Sequence, residues 1–444
     1  MRLLAYFILR ELVFPVCVTC EFSLVMIAFG SCNHQKFPQE YWLDILKDKP
    51  ETFLWIGDAV YAKNNTLSGL KYAYDKQLNS PYYEEFQNKI KLMDGIYDDH
   101  DYGVNDGGRF VDNQGIRKKM FLDYIQYDKQ YGNDQLPNKK GLYHDHDFIY
   151  DIENDNDDVV KLKVIFLDTR TFRDHPFIRS IGEFEFPLSA LIAAAVRTSY
   201  GLLGFGQNHN GDMLGQEQWL WLENTLKISD ADYHIIVSTI QIFTTNPVVE
   251  SWQHFPHSKK KLVSILEKTD PKGLAFLSGD VHLGEISRVK VERNDNTLNN
   301  IWPEITSSGL THSCRLGIVQ DVLCPIMLKT FNKHRDPNDE YYAGKNYGTI
   351  EFDNHSMNIS VKSLEPNEIG DLVLKFNIPY KNNHKVKDFG SKIKNIHYEP
   401  SPIVNHSQLY TVMILVTFFI VFLLRNLMTH HNSSETDKGK KKKK

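Results

Sequence analysis

Several apolar runs in this chain share one grammar: each is the length of a single strand and stops abruptly at a polar residue. Residues 53–57 (Phe-Leu-Trp-Ile-Gly) run into Asp58, and residues 163–167 run into Asp168. Residues 234–238 and 274–278 end on serine, and Gly279-Asp280 follows the second. Short apolar runs bounded by turn residues read as buried strands. Polar residues just past strand C-termini are where open α/β sheets collect their ligands. The pattern predicts an α/β fold with a functional site at strand ends. The chain has 444 residues, 41% apolar and 24% charged, which suits one large domain or two average ones and is unlike a disordered composition. A net charge of -5 carries no basic footprint, so a nucleic-acid partner is not expected.

Other elements follow from the same reasoning. Residues 24–31 read as a further buried strand, and residues 39–49 as a helix. A polar, tyrosine-rich stretch reads as helical through about residue 92. Residues 98–101 (Asp-Asp-His-Asp) read as a loop dense in ligands, and 114–131 as helix. Residues 143–150 and 159–167 suggest a hairpin across the acidic stretch 151–158, which lacks the glycine and final glutamate of a calcium-binding loop and reads as a solvated turn. Residues 216–226 form an amphipathic helix with Trp219, Leu222 and Leu226 on one face. Trp219 and Trp221 are core candidates, and residues 348–365 add two closing strands.

The two ends predict a membrane-tethered, secreted topology. Met1-Arg2-Leu3 and the apolar residues 4–9 resemble a signal peptide, taken as residues 1–23, although Arg10-Glu11 interrupts it. The main domain is expected over 24–375, a basic and polar stalk over 376–406, a transmembrane helix over 407–428, and a Lys-rich tail over 429–444. Residues 409–424 are apolar and uncharged, just long enough with their neighbours to cross a bilayer. The lysines beyond them place the tail in the cytosol and the large domain outside or in a lumen. Cys314 and Cys324 can pair in an oxidising compartment, which leaves Cys32 as an odd thiol that asks for a reason. Sequons at Asn64, Asn354, Asn358 and Asn405 fit the same compartment.

The chemistry-bearing residues fall into separated groups. Asp58 and Tyr61 follow one strand, Asp99, His100 and Asp101 share a loop with Asn105 beyond it, and Asp280 and His282 follow a late strand. A carboxylate, a phenol, an amide and an imidazole drawn from different loops can converge on two metals, which can bind a phosphoryl oxygen and ionise a water. His100 is a candidate general acid or hydrogen-bond donor. It can equally be a structural histidine orienting Asp99. Arg170 and Arg173 follow a strand, where a guanidinium can hold phosphate oxygens with two donors. Arg170 can equally pair with Asp168 and brace the loop.

In order, the motifs are Gly30-Ser31-Cys32, Gly57-Asp58-Ala59-Val60-Tyr61, Asp98-Asp99-His100-Asp101, Leu167-Asp168-Thr169-Arg170-Thr171-Phe172-Arg173 and Ser278-Gly279-Asp280-Val281-His282. This series resembles the alkaline phosphatase D (PhoD-like) family of metallophosphatases across roughly residues 26–310. The resemblance implies a calcineurin-like four-layer αββα fold and hydrolysis of phosphate mono- or diesters. It also implies a ferric ion with calcium: Cys32, Asp58, Tyr61 and His282 on one metal, Asp58 bridging, and Asp280 with Asp99 or Asn105 on the other. Gln241 stands where other metallophosphatases carry a histidine ligand, a departure that suits a changed metal pair. His312, beyond Ser307-Ser308-Gly309, has no assigned role. Two rival readings stand beside this one. One is a non-catalytic adhesion or receptor ectodomain that keeps the fold. The other is a phosphodiesterase acting on lipid or teichoic-like polymers.

Overall fold

The computed structural model describes residues 26–379 apart from 132–135, 152–158, 187, 291–300, 315–323, 325–326, 336–339 and 353–355. The chain opens a first sheet with β1 (Ile27–Gly30), β2 (Thr52–Ile56) and β3 (Leu92–Ile96). It then builds a second from β4 (His144–Asp151), β5 (Val159–Leu167), β6 (Tyr233–Ser238), β7 (Leu274–Ser278), β8 (Gly284–Lys290), β9 (Ile301–Ser307) and the short edge β10 (Tyr341–Tyr342). It returns to the first sheet with β11 (Asn346–Phe352), β12 (Ser356–Ser363) and β13 (Leu372–Pro379). The strand orders are β13-β12-β11-β1-β2-β3 and β10-β8-β9-β7-β6-β5-β4. The strands that carry the candidate ligands are parallel: β1, β2 and β3 in one sheet, β5, β6, β7 and β9 in the other.

Period-two alternation divides each strand between two packed layers. On β5, Val164 and Phe166 join a core with Leu54 and Ile56 of β2 and Ile350 of β11, so the two sheets share one interior. Ile165 and Leu167 face the other way and pack with Trp219, Leu222 and Leu226 of helix Gly215–Ile228 and Leu262 and Leu266 of helix Pro256–Thr269. On β2, Phe53 and Trp55 point outward and meet Trp42 of helix Tyr41–Lys47 at ring-centroid distances of 5.5 Å each. The result is helix, sheet, sheet, helix: the mixed α/β layering expected from the strand grammar.

The stretch expected to be helical through residue 92 is two helices, Leu67–Leu78 and Pro81–Lys89, followed by β3. Asp94 and Gly95 hide that strand, because both are poor β-formers. The strand holds because Asp94 is buried and satisfied by Tyr131 and His144. The 114–131 helix divides into Gln114–Tyr124 and Tyr127–Tyr131 around Gln126, whose φ is 56°. Residues 98–101 are not an open loop: Asp99–Tyr102 makes one helical turn, with Asp98 and Asp101 closing a capping box. The hairpin of β4 and β5 is antiparallel, as expected. A third closing strand, β13, runs to Pro379 and buries Leu374 and Ile378, so the sheet extends past residue 375.

The expected leader, transmembrane segment and tail lie outside the described residues, as do most of the stalk, the Asn354 and Asn405 sequons and nearly all of the acidic stretch 151–158. Among the described residues no helix is long and apolar enough to cross a membrane. Asn64 is exposed, whereas Asn358 is buried in β12 and its amide bonds Ser356 and Asn377, leaving no room for a glycan there. Cys314 and Cys324 are disulfide-bonded, with Cα atoms 6.0 Å apart, and Cys32 is a buried free thiol.

Candidate metal centre

The loops leaving β1, β2, β3, β7 and β9 meet at one end of the two sheets. Backbone bonds tie them together: Asn33 N–H donates to the Asp58 carbonyl (2.9 Å) and Gly279 N–H to the Thr239 carbonyl (3.0 Å). The approach is close enough to demand glycine at two points. A Cβ on Gly57, whose φ is +104°, would stand 2.7 Å from Asp98 Cβ. A Cβ on Gly279 would stand 2.8 Å from the Ile56 carbonyl oxygen. Cys32, Asp58, Asp280 and His282 all hold left-handed φ values between 50° and 69°. Aspartate and histidine tolerate that region better than most residues, but cysteine does not, and four such residues in one cleft mark a strained functional site.

Cys32, Asp58, Asp98 and Asp99 are buried at the cleft floor, while Tyr61, His100, Asp280 and His282 are half-buried at its mouth. Asp58 Oδ2 accepts from Tyr61 Oη (3.0 Å) and from Cys32 Sγ (3.5 Å), and Asp58 Oδ1 from His100 N–H (3.3 Å). Tyr61 Oη lies 3.2 Å from His282 Nε2. Candidate ligand atoms of Cys32, Asp58 and His282 fall within 4.8 Å of one another, as do those of Asp58, Asp98, Asp99 and Asp280, and those of Asp58, Asp99 and His100. Asp58 belongs to all three groups, the position a residue shared between two cations must hold.

The electrostatics ask for positive charge. Burial, and then the carboxylates of Asp99, Asp98, Asp101 and Asp280, push the Asp58 carboxyl well above the ordinary range. Burial with Asp98 and Asp99 does the same to Asp280. The Cys32 thiol and the Tyr61 phenol are raised by burial and by Asp58. Burial holds His282 down to about 4, so its imidazole is neutral and can donate a lone pair. Two buried carboxylate oxygens, Asp98 Oδ2 and Asp99 Oδ1, have no hydrogen-bond partner. Orphaned acceptors among crowded carboxylates, beside a thiol, a phenol and a neutral imidazole, fit bound cations: each would satisfy the acceptors and reverse the upward shifts.

The neighbouring residues hold the cleft in shape. Asp98 Oδ1 accepts from Arg170 Nε (2.6 Å) and from Thr239 Oγ1 (2.5 Å). Arg170 is fully buried and its Nη1 reaches Glu250 (3.0 Å), while its backbone N–H, not its side chain, meets Asp168. Arg173 also pairs with Glu250. Asp101 accepts from the backbone N–H groups of Ala59 and Asp98. Asp99 Oδ2 accepts from Asp106 N–H at 2.6 Å. Asn105 is half-buried, and a Cβ on Gly182 would stand 2.6 Å from its Nδ2, so its amide lies against that glycine, whereas Asp99 lies in the acidic group. Gln241 donates to Glu285 (2.6 Å) and to Thr306 (3.0 Å).

Reading the sequence missed several contributors. Asp98 stood in the motif without a role of its own. Ser308 contacts Cys32 Sγ (3.0 Å) and accepts from His282 N–H (2.9 Å). His312 Nε2 lies 3.2 Å from His282 Nε2, and burial beside His282 holds it neutral, down to about 2. The only sequence signal for these two was a small polar cluster directly after a strand.

Residues 160–362 match the family model described as PhoD-like phosphatase. Alkaline phosphatase D of Bacillus subtilis is 24% identical over 115 residues, 24% of this chain and 19% of that protein, so the match spans about a fifth of the relative's length. A solved structure described as that of PhoD superposes with a TM-score of 0.53 at 15% identity, covering 80% of this chain and 68% of the other. A Plasmodium structure described as GAP50, the anchor in the inner membrane complex, superposes at 0.46 with 12% identity, covering 80% and 89%. Cys32, Asp58, Tyr61 and residues 98–101 precede the matched region, and the fold brings them against Asp280 and His282 within it. Over residues 160–362 the chain is similar to PhoD-like phosphatases, and its fold is that of the solved PhoD structure.

Proposed function

We propose that this chain hydrolyses phosphate esters, with two bound cations supplying Lewis acidity and an ionised water. The observation that carries the reading is Asp58. It is common to a thiol–imidazole group with Cys32 and His282 and to a carboxylate group with Asp98, Asp99 and Asp280. In this reading Cys32, Tyr61, His282 and Asp58 hold a ferric ion, for which thiolate and phenolate are fitting donors. Asp58, Asp280 and Asp99 hold calcium, a hard cation that takes oxygen ligands. The geometry favours Asp99 over Asn105, whose amide lies against Gly182.

The chain's own groups do the rest. His100 stands at the mouth with its ring 4.1 Å from the Tyr61 ring, centroid to centroid, and delivers a proton to the leaving oxygen. Arg170 acts as a positioning residue: its guanidinium is committed to Asp98 and Glu250, and it holds Asp98 in the cleft. The chain is further proposed to be tethered through residues 407–428 with this domain lumenal or extracellular. The Cys314–Cys324 disulfide supports an oxidising compartment.

The test pairs elemental analysis with turnover of a chromogenic phosphomonoester and a phosphodiester on the purified full chain. Iron and calcium in the wild type, with hydrolysis lost in His282→Ala at unchanged folding, is the expected result. The ratio of the two rates assigns ester preference. A folded protein without metal or turnover would return the chain to the non-catalytic ectodomain reading.

A further inference from the structure

Between β5 and helix Gly215–Ile228 the chain makes an insertion whose surface is unlike the rest of the domain. Phe177, Phe184, Phe186, Leu191, Leu203 and Phe205 are each between 43% and 70% exposed. Helix Ser189–Leu202 lies at the surface, where one face should be polar. Its fourteen residues carry one charge, Arg197, and that side chain turns inward to Asp106 at 2.9 Å. The hydroxyls of Thr198 and Ser199 bond back to the carbonyls of Ala194 and Ala195 and so do not need water. The remaining charges of the insertion are also engaged within the domain: Arg179 with Glu183, and Glu185 with the backbone of Asn65. Exposed apolar area of this extent marks a docking surface. A face this apolar, whose few charges are paired within the domain, offers a protein partner little polar specificity and suits a lipid surface.

We infer that the surface of residues 177–205 docks on the bilayer and seats the metal centre at the membrane. The occupant follows from the chain beyond the domain. Residues 380–408, 29 of them, separate Pro379 from the apolar run 409–424. Twenty-nine residues reach about 30 Å even at random-coil dimensions, so a bilayer holding that run lies within reach of the domain. The insertion also touches the site. Ser180 Oγ and Arg197 Nη1 both donate to Asp106, whose backbone N–H donates to Asp99. Docking therefore places the cleft beside the lipid surface. The inference rests on the tether reading, not on the chemistry proposed for the cleft.

The experiment uses the full chain carrying Phe186→Trp, reconstituted into phosphatidylcholine vesicles with or without bromine on the acyl chains. Flotation reports the tether, and tryptophan quenching reports docking. The expected result is co-flotation with loss of most of the added emission in brominated vesicles. A tryptophan placed instead at Ile149, 65% exposed on β4, keeps its emission. Adding Leu191→Glu and Phe205→Glu restores the emission of Trp at 186 while circular dichroism stays unchanged. Co-flotation with equal emission in both vesicles overturns docking and leaves the tether standing. A blue-shifted but unquenched signal means that run 409–424 or a second copy covers the face, which also overturns it. Failure to float overturns tether and docking together, and a hydrolysis assay on the same sample reports the cleft independently.

Discussion

Two groups of acids lie side by side in this domain, joined at Asp98, and are treated in opposite ways. Asp98, Asp106 and Glu250 face Arg170, Arg173 and Arg197, so every acid in that group has a guanidinium within ion-pair distance. Among the described residues no lysine or arginine makes such a pair with Asp58 or Asp280. Leaving a charge buried without a partner costs several kcal/mol. A fold that supplies three arginines to one group and none to its neighbour has reserved the neighbour for cations from outside. Ligand-atom spacing alone would not separate them, since Asp99, Asp106 and Glu250 also lie within 4.8 Å of one another. The arginines do.

The sharpest way to break that contrast is Asp58→Asn. Asparagine accepts the left-handed backbone of position 58, so the loop is kept. Hydrolysis should fall by roughly ten-thousand-fold, about 5.5 kcal/mol of transition-state stabilisation. Stability should move the other way in chelator. The Asp58 carboxyl is raised when no cation is bound, so its ionisation opposes folding, and stability falls as pH climbs above the ordinary value of 3.8. Removing the acid lifts that penalty by about 1 kcal/mol near pH 7.5. Steady-state kinetics and denaturant midpoints in chelator test both halves, and a variant that is inactive and also less stable without metal would sink the contrast.

Glu250→Gln attacks the compensated group. It leaves Arg170 and Arg173 buried with their shared carboxylate gone, and should cost about 3–5 kcal/mol of unfolding free energy. A loss below about 1 kcal/mol would mean the arginines are not held by this acid. Metal affinity should fall only as far as Asp98 drifts, so elemental analysis of the folded fraction separates bracing from ligation.

The same contrast explains what could be read from the sequence. Cys32, Asp58, Tyr61, Asp280 and His282 were legible because each closes or follows a strand, and strand ends in an α/β sheet converge. Glu250 and Arg197 were not, because their partners lie 77–91 residues away and nothing local marks them. Strand β3 was masked by Asp94 and Gly95, whose place in a sheet depends on a histidine fifty residues on. The apolar helix Ser189–Leu202 has the composition of a core helix, so its exposure could be seen only once the layers were built.

Asp94 sharpens the comparison from outside the site. It is another fully buried acid, compensated by His144 Nε2 (2.9 Å), Tyr131 Oη (2.8 Å) and its neighbour's backbone N–H (2.7 Å). Burial alone would raise its carboxyl, but His144, Tyr131 and the Gly95 N–H together hold it below the ordinary value. Burial opposes the charged form of His144 too, yet Asp94 raises it above 6.5. The signs set a window. The Asp94 contribution is present above pH 3.8 and is lost as pH falls through its lowered folded value. The His144 contribution is full below pH 6.5 and is lost as pH rises through its raised folded value. Asp94→Asn should therefore cost about 1–2 kcal/mol near pH 5.5 and less near pH 8.5, where less of the histidine is charged. Urea midpoints of wild type and variant at the two pH values, with metal present throughout, isolate the pair. Equal costs at both would show that a neutral hydrogen bond is enough to hold a buried acid here, and the arginines around Glu250 would then lose their value as the sign that separates scaffold from site.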